Sequence, residues 1–251
     1  MARPSPQPGR TSELRVGSDF RFDLGRARRI GAPEVILGEG KTPDQLLSLL
    51  QKLHERGRGA LVSRPTPAQQ KLLARARKQG LPVRLLAGER IARLEGPISD
   101  SPERGPVALL AAGTSDVPVA VEAQHVLESV GVEVVTAYDV GVAGLHRLQR
   151  ALRQIERRRP QVYLVFAGRE GALPTVVAGL VPAPVVGVPV SSGYGRGGKG
   201  EAALSAMLQS CAPIAVVNID GGVPAALFAL QLLSGSGRSR GHRGRRTPIP
   251  F

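Results

Sequence analysis

The strongest constraint on the fold is a regular alternation of mostly apolar runs and helix-like segments in the second half of the chain. The runs lie at residues 107–112, 133–137, 162–167, 185–190 and 215–219. A run such as 107–112, which is apolar at every position, is typical of a strand that is buried on both faces of a sheet. Strands that alternate with helices predict a parallel sheet with right-handed crossovers. We therefore predict a three-layer α/β domain of flavodoxin-like type over residues 107–233.

A smaller α/β domain is predicted over residues 19–95. Apolar runs at 34–37, 60–62 and 83–86 predict strands, and the segments 22–30 and 68–79 predict helices. A further helix should begin at Thr42 and Pro43, because threonine caps helices and proline suits a first turn.

The remaining segments are interpreted as connections and tails. Residues 96–106 contain two Gly-Pro pairs and are predicted to link the two domains. Residues 1–18 and 234–251 are rich in Pro, Ser, Gly and Arg, and we expect them to be disordered.

Composition limits the cellular setting. The chain has 251 residues with a single cysteine, so it cannot form an intrachain disulfide, and a lone thiol is typical of a reducing compartment. No run approaches the ~20 apolar residues of a membrane span, and no early segment resembles a signal peptide. We expect a soluble, cytoplasmic protein without a membrane partner.

The net charge of +14 predicts an attraction for anions such as phosphorylated metabolites, lipids or nucleic acid. Half of this charge comes from seven arginines near the two termini, and a compositional preference for arginine explains it equally well. A nucleic-acid-binding protein is one alternative. It is disfavoured because the chain has no tryptophan, only three tyrosines and no recognised binding motif.

Candidate ligand-binding residues follow the predicted strands, where parallel sheets bind their ligands. The loop Gly113-Thr114-Ser115-Asp116 could offer backbone N–H groups to a phosphate and a carboxylate to a ribose, or it could be a plain helix cap. His146 and Arg147 begin a helix, where they could move a proton and hold a phosphate, or they could simply be solvated.

Three later segments carry further candidates. Glu170, flanked by glycines, could be a base, a magnesium ligand or a solvated turn residue. The segment 191–200 lacks the spacing of a P-loop and fits a lid or an anion nest better. Cys211 precedes the last strand, and a lone cysteine is usually a small inert apolar residue.

Taken together, these segments resemble two related enzyme families. Segments 112–116 and 140–147 are similar to the nucleotide-binding half of the purine-pathway aminoimidazole ribonucleotide carboxylase/mutase, PurE. Segments 170–174, 192–195, 206–212 and 216–220, together with 23–43, resemble its relative LarB more closely. The chain is identified by this resemblance as LarB-like over about residues 20–233, with a PurE-like C-terminal domain.

The resemblance implies a definite reaction. LarB-type enzymes carboxylate C5 of the pyridinium ring of nicotinic acid adenine dinucleotide with CO2 or bicarbonate, and they hydrolyse its phosphoanhydride. The products are pyridinium-3,5-biscarboxylic acid mononucleotide and AMP, and the mononucleotide is the precursor of the nickel-pincer cofactor. The resemblance also implies Mg²⁺ and a homo-octamer.

The roles follow from the same resemblance. Cys211, the only thiol, would add to the ring, Glu170 would remove the C5 proton or bind magnesium, and His146 would handle protons. The expected substrate contacts are Gly113, Thr114, Ser115, Asp116, Arg147, Gly168, Ser191, Ser192, Gly193, Tyr194, Asn218 and Asp220.

The chain departs from the family pattern at Arg169, where methionine is expected, and within residues 196–200 and 221–224. The main rival interpretation is a PurE-like mutase. That chemistry needs no thiol, so a Cys211→Ala variant would stay active, and the additional N-terminal segment argues against it.

Overall fold

The structure is a computed structural model that describes residues 13–16, 20–86, 88, 90–98, 105–193 and 195–238. The N-terminal unit is an α/β arrangement built on a mixed sheet. Its elements are β1 (Glu13–Val16), β2 (Phe20–Asp23), α1 (Arg26–Ile30), β3 (Val35–Leu37), α2 (Pro43–Glu55), β4 (Ala60–Ser63), α3 (Pro67–Lys78), β5 (Val83–Leu86) and β6 (Ile91–Leu94). The strand order in the mixed sheet is β3-β4-β6-β5. In this sheet β3 and β4 are parallel, whereas β6 runs antiparallel to both β4 and β5.

The C-terminal unit contains the predicted parallel sheet, which has five strands. Its elements are β7 (Val107–Ala111), α4 (Val117–Glu128), β8 (Val134–Ala137), α5 (Leu145–Ile155), β9 (Val162–Ala167), α6 (Leu173–Ala178), β10 (Val185–Pro189), α7 (Glu201–Leu208), β11 (Ile214–Val216) and α8 (Gly222–Arg238). The strand order in this sheet is β11-β10-β9-β7-β8. All the strand pairs are parallel.

Alternate residues of the central strands enter two different cores. Leu109 of β7 and Leu164 of β9 pack with α4 and α8 on one face of the sheet. Leu110 and Val165 pack with α5, α6 and α7 on the other face. This division explains why β7 and β9 are apolar at every position, and it confirms the three-layer α/β architecture.

The two units share part of their core. Ala32, Leu61, Ile91 and Ile98 of the N-terminal part are buried in the same apolar cluster as α4 and α8. The connection predicted over 96–106 therefore contains a buried residue, Ile98. Residues 99–104 of that connection lie outside the described residues, and the exact domain boundaries stay a prediction.

The interpretation of the N-terminal part needs correction at two points. The predicted helix 22–30 is wrong at its start: Phe22 lies in β2, where it is buried, and the helix begins only at Arg26. The apolar–polar alternation of Phe20–Asp23 has the period of a strand rather than of a helix. The strand β6 was not predicted.

The predicted tails are shorter than expected. Glu13–Val16 pair with β2, so the prediction of disorder over 1–18 is wrong for these four residues. The last helix continues to Arg238, into the predicted tail 234–251. The other tail residues lie outside the described part of the chain. None of the helices described has the length and apolar composition needed to cross a bilayer.

Candidate active site

A cleft opens at the carboxyl ends of β7, β8, β9 and β10, which is the predicted edge of the sheet. Its empty volume, open mouth included, is about 870 Å³. It is lined by Ala112, Gly113, Ser115, Asp116, Gly141, Val142, Ala143, Arg147, Ala167, Gly168, Arg169, Glu170, Ala172, Leu173 and Ser192. Seven of the predicted site residues are among them, and they come from the loops after four different strands.

Asp116 ties three of these loops together. Its side chain is buried, and Oδ2 accepts a hydrogen bond from the Gly113 N–H at 2.9 Å. Oδ1 accepts from the Gly168 N–H at 3.2 Å and from the Ser192 hydroxyl at 2.8 Å. A Cβ at Gly168 would lie 2.7 Å from Ser192 Oγ and 3.2 Å from Asp116 Oδ1, so a larger residue there would have to displace the Ser192 side chain. Asp116 therefore shapes the cleft, and its oxygens are already used by protein donors.

Arg147 and Glu170, which both line the cleft, have different surroundings. Arg147 forms an ion pair with Asp139, which lies just after β8. The carboxylate of Glu170 is exposed at the mouth of the cleft, next to Arg169. Asp139 and Arg169 both have left-handed backbone angles, with φ of 58° and 51°. Such conformations in non-glycine residues are uncommon and concentrate at functional sites.

A second polar cluster adjoins the cleft at the end of β11. The Asp220 carboxylate accepts hydrogen bonds from the Ser191 N–H at 2.9 Å and from its hydroxyl at 2.6 Å. Ser191 is the neighbour of Ser192, so the start of the 191–200 segment is held by Asp116 and Asp220 together. Asn218 instead accepts a hydrogen bond from the N–H of Ile219.

Some predicted site residues lie elsewhere. His146 is exposed on the first turn of α5 and Thr114 is exposed beside the cleft, and neither lines it. Gly193 lies against the backbone of Arg169. The prediction for Tyr194 falls outside the described residues.

Cys211, the predicted nucleophile, does not line the cleft of its own chain. Cys211 is exposed and lies between α7 and β11, before the strand begins. It is therefore near the amino edge of the parallel sheet, whereas the cleft lies at the carboxyl edge. Its neighbour Ser210 bonds to the hydroxyl of Thr175 on α6 at 2.8 Å. One chain does not bring the thiol together with Glu170 in the cleft.

A magnesium site made of protein side chains alone does not fit the described residues. No group of three or more His, Cys, Asp or Glu side chains in the described part could hold a metal ion. Within the cleft, Asp116 is occupied by its three protein donors, which leaves Glu170 as the exposed carboxylate. We therefore assign no chemical step to a metal.

The sequence interpretation missed several residues of the cleft. The small residues Gly141, Ala143 and Ala172 form its walls, and Asp139 holds Arg147. The position of Asp139, directly after a predicted strand and near a predicted phosphate ligand, was the signal that could have identified it.

Comparisons with known proteins agree with this geometry. The C-terminal unit matches the AIR carboxylase family over residues 106–241, more than half of the chain. The fold and the cleft thus define a domain of a carboxylase/mutase-type enzyme. Residues 16–84 match the LarB/PurE-like N-terminal domain. The chain belongs to the LarB family, with a PurE-like C-terminal domain.

Individual relatives divide into two groups. An uncharacterized protein of Methanocaldococcus jannaschii is 41% identical over 214 residues, which cover 84% of this chain and 82% of that protein. The N5-carboxyaminoimidazole ribonucleotide mutase of Pyrococcus abyssi is 37% identical over 134 residues, 51% of this chain and 73% of the mutase. The mutase named in Methanocaldococcus jannaschii is 32% identical over a similar region. The mutase relatives thus match about half of this chain.

Proposed function

We propose that this protein carboxylates C5 of the nicotinate ring of nicotinic acid adenine dinucleotide and hydrolyses the dinucleotide to pyridinium-3,5-biscarboxylic acid mononucleotide and AMP. The observation that carries this proposal is the combination of the two family matches: a LarB/PurE-like N-terminal domain accompanies the AIR carboxylase domain. The product would serve nickel-pincer cofactor synthesis.

The ring chemistry requires a soft nucleophile. A pyridinium carbon is electron-poor, so C5 cannot attack CO2 directly. Addition of the Cys211 thiolate to a ring carbon next to C5 gives a neutral dihydropyridine, whose C5 carries enamine electron density. C5 then forms a bond to CO2, a base removes the C5 proton, and expulsion of the thiolate restores the aromatic cation.

The cleft offers groups for the other steps. Glu170, the exposed carboxylate, is the proposed base. Arg147, held by Asp139, would bind a phosphate, and the backbone around Gly113 would approach the nucleotide. Hydrolysis breaks one P–O bond of the phosphoanhydride by addition of water. We propose that Mg²⁺ enters with the two phosphates rather than in a protein cage.

Because Cys211 and Glu170 lie at opposite edges of the sheet, we propose that the thiol at each cleft comes from another copy of the chain. An octamer of this kind is what the family resemblance implies. The exposure of Cys211 supports this arrangement, since an exposed side chain is accessible to a second copy.

A single experiment tests the reaction and the arrangement. The protein is incubated with nicotinic acid adenine dinucleotide, bicarbonate and Mg²⁺, and the products are measured by mass. Cys211→Ser and Glu170→Gln should each abolish product, whereas co-assembled mixtures of the two variants should regain activity. Intact dinucleotide with the wild-type protein would refute the reaction, and inactive mixtures would refute the shared site.

A PurE-like mutase is the second candidate. It is favoured by the relatives that are named N5-carboxyaminoimidazole ribonucleotide mutases. Turnover of N5-carboxyaminoimidazole ribonucleotide that persists in Cys211→Ala would support it over the first proposal.

A further inference from the structure

A buried carboxylate joins the two units of the chain. Glu122 on α4 is only 1% exposed. Arg90, which precedes β6 in the N-terminal unit, bonds to its Oε1. Arg64, which follows β4 in the same unit, approaches Oε2 at 3.8 Å. A buried carboxylate without cations would be strongly destabilising, so these arginines fix how the N-terminal unit meets α4.

Arg64 does more than neutralise Glu122. A second nitrogen of its guanidinium donates a hydrogen bond to the backbone carbonyl of Asp220, 156 residues away. The same Asp220 holds the N–H and the hydroxyl of Ser191 through its carboxylate. A continuous set of contacts thus runs from the N-terminal unit to the start of the segment that borders the cleft.

Two residues in this set of contacts have backbone conformations that are uncommon for residues other than glycine. Arg64 and Asp220 both have left-handed backbone angles, with φ of 51° and 56°. Non-glycine residues adopt such angles when the surrounding contacts hold them there. The planar guanidinium of arginine can serve a carboxylate and a carbonyl at once, and the single ammonium of lysine cannot reproduce that geometry.

We propose that Arg64 is a positioning residue that, through Asp220, holds Ser191 and thereby places its neighbour Ser192 at the cleft. The N-terminal unit then has a role in the site although none of its described residues lines the cleft. The expected effect of Arg64 on the catalytic rate rests on the function proposed above. Its expected effect on the amide exchange of Ser191 does not depend on that function.

Amide hydrogen exchange tests the contact without any substrate. Arg64→Lys should raise the exchange rate of the Ser191 amide about tenfold, the effect of losing roughly one hydrogen bond's support. Arg90→Lys is the matched control, because Arg90 contacts Glu122 but not Asp220. It should leave Ser191 exchange within about twofold of wild type, and the Leu164 amide in the central strand reports any global loss of stability.

Two results of the exchange measurement would contradict the role of Arg64. Unchanged Ser191 exchange in Arg64→Lys, or an equal rise in Arg90→Lys, would overturn the proposal. If Arg64→Lys does not fold, the double variant Arg64→Gln with Glu122→Gln removes the unpaired buried charge, and it should show the same rise at Ser191.

A rate measurement separates this proposal from the proposed function. Arg64→Lys should lower kcat for carboxylation about tenfold, with a smaller change in KM, because the segment is misplaced in the bound state. Faster exchange at Ser191 with an unchanged kcat would overturn the positioning role. A wild-type protein without carboxylase activity would instead refute the proposed function, and Ser191 exchange would still decide the contact.

Discussion

At the scale of single residues, Asp116 lies at the cleft as the sequence predicts, but its side chain has a different role from the predicted one. The sequence predicts a carboxylate that binds ribose or caps a helix. The structure shows a buried side chain whose two oxygens accept three hydrogen bonds from three loops. The residue shapes the cleft by joining loops that are up to 76 positions apart in sequence.

Asp116→Asn tests this role. The amide has one acceptor oxygen, so its NH2 group must face a backbone N–H, and at least one buried donor loses its partner. The free energy of unfolding should fall by about 1–3 kcal/mol in urea titrations. Ser115→Ala, an exposed neighbour, should change it by less than about 0.5 kcal/mol. Equal stability of the two variants would contradict the assignment.

At the scale of elements, two helices of the N-terminal unit begin with the same device. In α2 and in α3 a threonine caps the helix, a proline follows, and a glutamine three positions after the threonine returns a bond to its backbone N–H. The sequence predicts the first of these caps. It does not reveal that Gln69 is fully buried, and that its amide also donates to the carbonyls of Gly38 and Lys41.

This difference predicts unequal effects for matched substitutions. Gln69→Ala should lower the free energy of unfolding by about 2–4 kcal/mol, because it leaves two carbonyls in the β3–α2 loop without their donor and opens a gap. Gln45→Ala removes only an exposed capping contact and should cost about 0.5 kcal/mol. Thermal or urea unfolding of both variants measures the contrast, and similar losses would contradict it.

Elements differ in how well the sequence predicts them. The strands β7 and β9 are buried on both faces, so their apolar runs identify them almost to the residue. The strand β6 has four residues and lies antiparallel between β4 and β5, and this pairing depends on contacts that are distant in sequence. The location of Cys211 was available from topology alone, because a residue that precedes a parallel strand lies at the edge opposite the ligand-binding loops. The Arg64–Asp220 contact was not, since no local pattern joins the two units.

At the scale of the whole molecule, the buried Glu122, which links the two units through Arg64 and Arg90, should make the free energy of unfolding depend on pH. Burial raises the pKa of Glu122, Asp220 adds to this rise, and Arg90 and Arg64 oppose it. The folded chain therefore binds this proton more tightly than the unfolded chain. The stabilising contribution is complete below the unfolded pKa and is lost as the pH rises through the folded pKa.

Glu122→Gln cannot titrate, so its stability relative to the wild type should improve as the pH rises from about 4 toward neutrality. Urea unfolding at several pH values measures this difference. Glu128→Gln, an exposed position on the same helix, is the control and should follow the wild type more closely. A constant difference across this range for Glu122→Gln would contradict the linkage.

The apolar cluster that Ala32, Leu61 and Ile91 share with α4 and α8 has a consequence for engineering. In this chain the sides of α4 and α8 that contact these residues are buried. A chimera that joins a mutase domain to this N-terminal unit would therefore need redesigned residues on the helices of the mutase that correspond to α4 and α8. In this chain those helices and the N-terminal unit pack against each other in a single apolar core.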